Sequence, residues 1–153
     1  MDENNTISIA GQWFGYFIFG PQYGRKLRAQ RVTFSLLIED VFNNKFSGKC
    51  IEIEGLGASS QIATITGFVE NNFISFRKEY PVDYTIDKDG NRSKYPDMLK
   101  PRLSYEGLFN KETQTYSGSW EIWGRERPAG ENTIVHISRG TWEISRDSST
   151  YGI

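Results

Sequence analysis

The stretch from Ile7 to Phe19 constrains the fold more than any other part of this 153-residue chain. It reads ISIAGQWFGYFIF, and apolar or aromatic side chains occupy both of its alternating sets of positions. Successive side chains of a strand point to opposite faces, so this stretch predicts a strand that is covered on both faces. One set contains Trp13 and would enter a core. The other contains Phe14, Tyr16 and Ile18 and needs a second cover, for which a partner subunit is one candidate.

Seven further segments have the composition of strands, and no segment has the pattern of a substantial amphipathic helix. These segments are 32–39, 46–54, 62–70, 73–87, 102–109, 115–123 and 133–145. Pro81 interrupts the fourth, so we expect one long strand there with a kink or a sheet edge. The register within 45–54 and 73–87 stays open. A single helical turn around 96–99 is the only helical candidate.

Eight consecutive strands with short links predict an all-β fold, an antiparallel up-and-down barrel, because closure removes the exposed edges of a sheet. A two-sheet sandwich is the alternative. We expect one domain over 1–153, with a core from about 6 to 146 and a frayed tail at 147–153. The single cysteine, Cys50, excludes an internal disulfide and is expected to be a buried strand thiol.

The lengths of the connections alternate along the chain. The long ones are 20–31, 55–61, 88–101 and 124–132, and the tight ones are 41–45, 70–72 and 110–114. Successive connections of an up-and-down barrel lie at opposite ends, so one end is ringed by long loops and the other is tightly closed. This predicts a cup with its binding site at the long-loop end. Met98 and Leu99, on the longest loop, would form an apolar flap.

Gly11-Gln12-Trp13 on the first strand resembles the Gly-x-Trp start of the calycin superfamily, which comprises the lipocalin, fatty-acid-binding-protein and avidin barrels. The resemblance implies that Trp13 plugs the closed end and that a late basic residue packs across it. Arg146 is the best match for that residue, and Arg139 is the second choice. The pattern has no lipocalin-type C-terminal helix, which favours the avidin type. No biotin-site residue can be placed on this chain.

Two more Gly-x-Trp triplets, 118–120 and 140–142, lie on the last two predicted strands. A glycine on one strand leaves room for a large ring from the neighbouring strand. The triplets therefore predict interlocked core packing for Trp142, whereas Trp120 could line either the core or a binding site.

Several kinds of site are excluded by composition. One histidine and one cysteine cannot supply an ordinary zinc site. Residues 85–96 resemble a calcium loop only in part, because Thr85 and Pro96 stand at the first and last ligand positions. Nucleophile motifs and glycine-rich phosphate loops are missing. We therefore expect no metal and no cofactor.

Charge and hydropathy bear on partners and location. Lys plus Arg number 18 and Asp plus Glu number 19, which argues against a nucleic-acid partner even though 25–31 is rich in basic residues. No apolar run reaches the ~18 residues of a membrane-spanning helix. The N-terminal sequence does not resemble a secretion signal, so we expect a cytoplasmic protein, although a secreted protein whose signal has been removed would read the same.

Lys78 is the most informative polar residue. It lies two residues from Phe76 and two from Tyr80, so on a strand all three side chains point to the same face, and a cation stands among apolar residues. A buried ammonium needs an anionic partner, either a protein carboxylate or the head group of an acidic ligand. The alternatives are an outward register, with Arg77 and Glu79 inside, or a lysine that reaches the rim.

The leading hypothesis is non-catalytic binding of a small, partly apolar molecule, with an anionic group as an option. The candidate ligand contacts are Lys78, Tyr80, Tyr105, Trp120, His136 and Met98. One alternative is a structural or homo-oligomeric module. Another is a cofactor-free isomerase or cyclase in which His136 or Lys78 exchanges protons. A hydrogen-bonded histidine inside the barrel is the structural interpretation of His136.

Overall fold

The computed structural model describes residues 8–21, 25, 27–55, 58–81, 84–86, 92–94, 102–126 and 133–153, with backbone only for 84–86, 92–94, 124–126 and 133–137. In chain order the strands are β1 (Gly11–Phe19), β2 (Arg31–Phe42), β3 (Lys45–Glu54), β4 (Ile62–Glu70), β5 (Phe73–Glu79), β6 (Tyr84–Ile86), β7 (Arg92–Lys94), β8 (Arg102–Asn110), β9 (Thr115–Glu126) and β10 (Thr133–Ser145). A short 3-10 helix, Ser148–Tyr151, follows the last strand.

Eight of the ten strands in the described part of the chain form a closed antiparallel barrel in the order β1-β10-β9-β8-β5-β4-β3-β2. β1 closes it, because this strand pairs with β2 on one side, where Trp13 faces Leu36, and with β10 on the other, where Phe17 faces Trp142. The predicted all-β eight-stranded barrel is confirmed, and the sandwich alternative is wrong.

The prediction of one long strand over 73–87 is also wrong. β5 ends at Glu79, and its last pair with β8 joins Lys78 to Leu103. Pro81 has no N–H to continue such a ladder. The chain resumes as β6, which pairs with β7 in a separate two-stranded sheet, so the expected long loop at 88–101 contains a strand. The expected turn at 96–99, with Met98 and Leu99, lies outside the described residues.

The tight turns lie at one end of the barrel. The β2–β3 turn holds Asn43 and Asn44 at φ values of 51° and 65°, and the β4–β5 turn holds Asn71 at 57°. Asparagine tolerates this left-handed conformation better than most residues, which explains its position in two-residue hairpin turns. The β8–β9 turn, 111–114, lies at the same end, and the longer connections lie at the other, as the loop lengths predict.

Trp13 and Trp142 point into one shared interior, where they are 1% and 2% exposed. Trp13 packs edge-on against Tyr116, with ring centroids 5.5 Å apart. The guanidinium carbon of Arg146 lies 4.0 Å from the centroid of the Trp13 ring on the tight-turn side. Nη2 of Arg146 also donates to the backbone carbonyl of Ser8 at 2.7 Å. The sequence prediction of a late basic residue across Trp13 is therefore confirmed for Arg146.

Glycines make room for the other two core indoles. A Cβ at Gly140 would lie 2.5 Å from the ring of Trp120, and one at Gly107 would lie 2.8 Å from the ring of Trp142. Each indole N–H finds a carbonyl, since Trp120 donates to Ile18 at 3.1 Å and Trp142 donates to two carbonyls at 3.0 Å. Gly140 of the second triplet thus interlocks with Trp120, whereas the room for Trp142 comes from Gly107, outside both triplets. The expected core packing of Trp142 is confirmed, and Trp120 is buried in the core as well.

The last seven residues do not fray as the sequence predicts. Asp147 caps the Ser148–Tyr151 helix by accepting from the backbone N–H of Ser149 at 3.0 Å. Tyr151 is buried, and its hydroxyl donates to a Glu143 carboxylate oxygen at 2.9 Å. An aromatic side chain with a hydrogen-bonded hydroxyl anchors a terminus that is otherwise polar.

This C-terminal segment covers part of the outer face of β1. The rings of Tyr16 and Tyr151 meet edge-on at 5.7 Å, and the Arg31 guanidinium carbon lies 3.9 Å from the Tyr16 ring centroid. Phe14, Tyr16 and Ile18 are each half-buried within the single chain. Association of subunits through these three residues stays a prediction.

Candidate functional site

Alternation along two strands brings polar side chains into the long-loop half of the barrel. β5 points Ile74, Phe76 and Lys78 inward, and Lys78 is the last inward position before the strand ends. β3 points Cys50 and Glu52 inward in the same way, close to its own long-loop end. The inward register of Lys78 is therefore the one that the chain adopts, and the outward alternative is wrong.

Lys78 and Glu52 form a buried ion pair. The Lys78 Nζ lies 2.8 Å from Oε2 of Glu52, and both side chains are 2% exposed. The same ammonium lies 3.5 Å from the Tyr105 hydroxyl. Glu52 also accepts from the Tyr80 hydroxyl and, at 2.6 Å, from the backbone N–H of Ser59 in the β3–β4 loop. The partner that Lys78 requires is thus a carboxylate of the protein itself.

Aromatic rings surround the ammonium. Its distance to the ring centroid is 4.8 Å for Phe17, 5.0 Å for Tyr80, 5.6 Å for Tyr105 and 5.8 Å for Phe34. The electron-rich face of a ring attracts a cation, and the attraction grows when water is excluded. We call Cys50, Glu52, Lys78, Tyr80 and Tyr105 the mouth cluster.

The environment keeps the pair ionised at neutral pH. Burial alone would raise the pKa of Glu52, but the Lys78 ammonium and the donors from Tyr80 and Ser59 hold it below its ordinary value. Burial alone would lower the pKa of Lys78, but the acidic groups Cys50 and Glu52 around it raise it well above its ordinary value. The cluster therefore holds one negative and one positive charge.

The remaining acids of the cluster are protonated at neutral pH. Burial raises the pKa of the Cys50 thiol to about 11, and it raises the pKa values of Tyr80 and Tyr105 above the ordinary tyrosine value. A thiolate is the nucleophilic form of cysteine, so Cys50 is an unreactive buried thiol. This agrees with the expectation of a structural cysteine.

Trp120 lies one ring away from the cluster. It is 2% exposed and meets Phe17 and Phe19 edge-on, with centroids 5.9 and 6.2 Å away. Phe17 is the ring that touches both Trp120 and the Lys78 ammonium. Trp120 therefore supports the cluster through packing.

The two other predicted contacts cannot be placed in the site. His136 lies on β10 opposite Trp123, beside a register shift between His136 and Ser138, and its side chain is outside the described residues. Met98 is outside them as well. Both assignments stay predictions.

Sequence reasoning missed Glu52. The signal that could have singled it out is the alternation of inward and outward side chains along β3. Glu52 lies an even number of residues from Phe46 and Cys50 on β3, so its side chain points inward with theirs. It places an anionic side chain on the inward face of β3, just as Lys78 places a cationic one on the inward face of β5. Opposite charges on two inward faces make each residue a candidate partner of the other once the strands are known to enclose the same core.

Within the described part of the chain, no group of three or more His, Cys, Asp or Glu side chains could hold a metal ion. The same residues include no helix that is long and apolar enough to span a membrane. Comparison of the chain with protein-family models, with curated proteins and with solved structures finds no match in any of the three.

Proposed function

We propose that this barrel binds a small, partly apolar molecule at its long-loop end and performs no chemistry on it. The observation that carries the proposal is the buried Glu52–Lys78 pair in an otherwise largely apolar interior. Removing two charges from water costs several kcal/mol per ion, and apolar side chains of similar volume often stabilise a core as well. Stability alone therefore gives little reason for the pair, whereas recognition of a ligand gives one.

The surroundings of the pair suit a small-molecule site. Such sites combine apolar and aromatic walls with a few polar groups that fix the orientation of the ligand. Phe17, Phe34 and Tyr105 supply the walls, and Glu52, Lys78 and Tyr80 supply the polar groups. The site stands at the end that carries the longer connections, where binding residues of barrels are commonly found.

The charge of the cluster favours a neutral ligand over the anionic option. An anion that approached Lys78 would also approach the Glu52 carboxylate, whose oxygen lies 2.8 Å from the ammonium. The ligand anion and the Glu52 carboxylate would then be two negative charges close together, and their repulsion is strong where water is excluded.

Binding is also favoured over the isomerase or cyclase alternative. A general acid or base works best when its pKa lies near the working pH. The pKa values of Glu52, Lys78 and Tyr80 are all displaced away from neutrality. Partners stabilise the charged forms of Glu52 and Lys78, and burial stabilises the neutral form of Tyr80.

We also propose that the barrel is calycin-like. The support is the pairing order of the eight strands together with the packing of Arg146 across Trp13 at the tight-turn end. This is the arrangement that the Gly11-Gln12-Trp13 start implies. The mouth cluster lies at the opposite end of the barrel from this plug.

The test is a ligand screen with a matched pair of variants. Native mass spectrometry of the purified protein would look for a retained molecule, and a thermal-shift screen of small neutral aromatic and aliphatic compounds would look for binders. The site variant Glu52→Gln/Lys78→Met neutralises the buried pair. The control Glu39→Gln/Lys49→Met neutralises an exposed pair whose charged atoms are 3.9 Å apart.

We expect a retained molecule or a stabilising compound with the wild type and the control, and about a tenfold or greater loss of affinity in the site variant. Circular dichroism would establish that both variants are folded. Equal binding by a folded site variant, or no binder at all for the wild type, would contradict the proposal.

A further inference from the structure

Tyr80 differs from every other member of the mouth cluster in its exposure. Cys50, Glu52, Lys78 and Tyr105 are buried, whereas Tyr80 is half-buried. It also lies one residue beyond the end of β5, so no strand pair of the barrel ladder fixes its backbone. Tyr80 is thus the member of the cluster with the greatest exposure to solvent.

Tyr80 makes two contacts with the ion pair, and both are contacts that a free molecule could make. Its hydroxyl donates to Oε2 of Glu52, and its ring centroid lies 5.0 Å from the Lys78 ammonium. The other donors to Glu52 cannot leave so easily. Ser59 donates through its backbone N–H, and displacement of Lys78 would leave the buried Glu52 carboxylate without its cation.

We propose that Tyr80 is an internal ligand of this site and that the external ligand is a neutral, planar aromatic molecule with a hydroxyl donor, a phenol, which displaces the Tyr80 side chain. This inference rests on the proposed function and specifies its ligand class. On displacement the phenol hydroxyl donates to Glu52 and the phenol ring faces Lys78. The Tyr80 hydroxyl then meets water, so no polar group is left unpaired.

Other ligand classes fit these contacts less well. A benzoate would bring a second carboxylate beside Glu52, and a benzylammonium would bring a second cation beside Lys78. A ring without a hydroxyl would remove a donor from the Glu52 carboxylate and supply none in return. An aliphatic alcohol would lack the aromatic face that Lys78 contacts.

The main experiment removes the internal ligand and offers its side chain in free form. Tyr80→Ala opens the position, and p-cresol reproduces the tyrosine side chain from its hydroxyl to its Cβ. Isothermal titration calorimetry would measure p-cresol, toluene and benzoate against the wild type, Tyr80→Ala and Tyr80→Phe. The last variant keeps the ring in place and removes its hydroxyl, so it is the control for occlusion.

We expect Tyr80→Ala to bind p-cresol about tenfold or more tightly than the wild type or Tyr80→Phe, in which the resident ring competes. We expect toluene and benzoate to bind Tyr80→Ala about tenfold or more weakly than p-cresol. Toluene lacks the hydroxyl that donates to the charged Glu52, and such hydrogen bonds contribute about this much. Benzoate brings a second carboxylate beside Glu52. Equal affinity for toluene and p-cresol would overturn the assignment of a phenol while leaving a site for apolar molecules intact. No binding of any probe by folded Tyr80→Ala would overturn the inference, and the wild-type screen above would decide the proposed function separately.

A second measurement uses the wild-type sequence and does not depend on the folding of Tyr80→Ala. Protein labelled with 3-fluorotyrosine gives ¹⁹F signals for its eight tyrosines, and the Tyr80 signal is assigned by its absence from Tyr80→Phe. Saturation with p-cresol should shift the Tyr80 signal towards the position of a solvent-exposed tyrosine. A Tyr80 signal that stays in place at saturating p-cresol would overturn the displacement.

Discussion

The Lys78 ammonium and the Glu52 carboxylate meet at 2.8 Å inside the barrel, although the two residues lie 26 positions apart on strands separated by β4. Each balances the charge of the other in a place largely shielded from solvent, since both side chains are 2% exposed. The exposed pair Lys49–Glu39, with charged atoms 3.9 Å apart and side chains 53% and 41% exposed, has no such environment. The contrast between these two pairs supports the first prediction.

Removing one partner of the buried pair should destabilise the fold much more than removing both. Lys78→Met leaves the Glu52 carboxylate buried without its cation and should lower the free energy of unfolding by about 3–5 kcal/mol. Glu52→Gln/Lys78→Met removes both charges, and the glutamine amide can accept from Ser59 through its oxygen and donate to the Tyr80 hydroxyl through its NH2 group, so it should lose clearly less. Urea denaturation monitored by tryptophan fluorescence measures both values.

The exposed pair provides the matched control for this cycle. Lys49→Met and Glu39→Gln should each change the free energy of unfolding by less than about 1 kcal/mol, because solvent screens the pair. Similar losses for Lys78→Met and Lys49→Met would show that the buried pair has no special energetic role.

The ion pair should also give the fold a characteristic acid sensitivity. The pKa of Glu52 in the folded state lies below its ordinary value of 4.5, so the unfolded chain binds the proton more tightly. The stabilisation is therefore complete above about pH 4.5 and is lost as pH falls through the folded-state pKa. The free energy of unfolding should fall more steeply in acid for the wild type than for Glu52→Gln/Lys78→Met. Urea titrations at intervals from about pH 6 to about pH 3 measure this, and parallel curves would contradict it.

The barrel could be predicted because its determinants are local. Short stretches of sequence are enough to show that Trp13 and Trp142 point inward and that asparagines form the tight turns. The alternation of loop lengths can be read in the same way. Glu52 could not be assigned as the partner of Lys78 in the same way. Their meeting depends on the curvature of the barrel and on the register of β3, β4 and β5 together. Alternation along a strand shows which face a side chain occupies, but it does not show which side chains on the inward faces contact each other.

Two other differences between the sequence predictions and the structure, at the end of β5 and in the C-terminal segment, also depend on contacts between distant parts of the chain. The break after Glu79 depends on where the β5–β8 ladder ends, and a proline in the sequence allows an edge, a kink or a termination. The docking of Tyr151 depends on an outer surface that exists only after β1 and β10 have paired. From sequence alone the polar segment 147–153 is therefore predicted to be frayed, because the surface on which Tyr151 packs is not yet known.

The closed end should depend on Arg146. Arg146→Met removes the guanidinium from the Trp13 ring and deletes its hydrogen bonds to the Ser8 and Gln12 carbonyls. We expect a loss of about 1–2 kcal/mol in the free energy of unfolding. Arg77→Met on the outer face of β5 is the control and should change this value by less than about 0.5 kcal/mol. Equal effects of the two substitutions would mean that Arg146 does not brace the closed end.

The C-terminal segment should contribute to stability through Tyr151. Tyr151→Ala removes a buried ring that packs against Tyr16 and a hydroxyl that donates to Glu143, so it should lower the free energy of unfolding by about 2–4 kcal/mol. Tyr151→Phe keeps the ring and should lose about 1 kcal/mol. Ile153→Ala, at an exposed position two residues later, is the control for the segment and should have little effect. Urea denaturation of the three variants measures these values, and a Tyr151→Ala variant as stable as the wild type would show that the segment is a tail without a structural role.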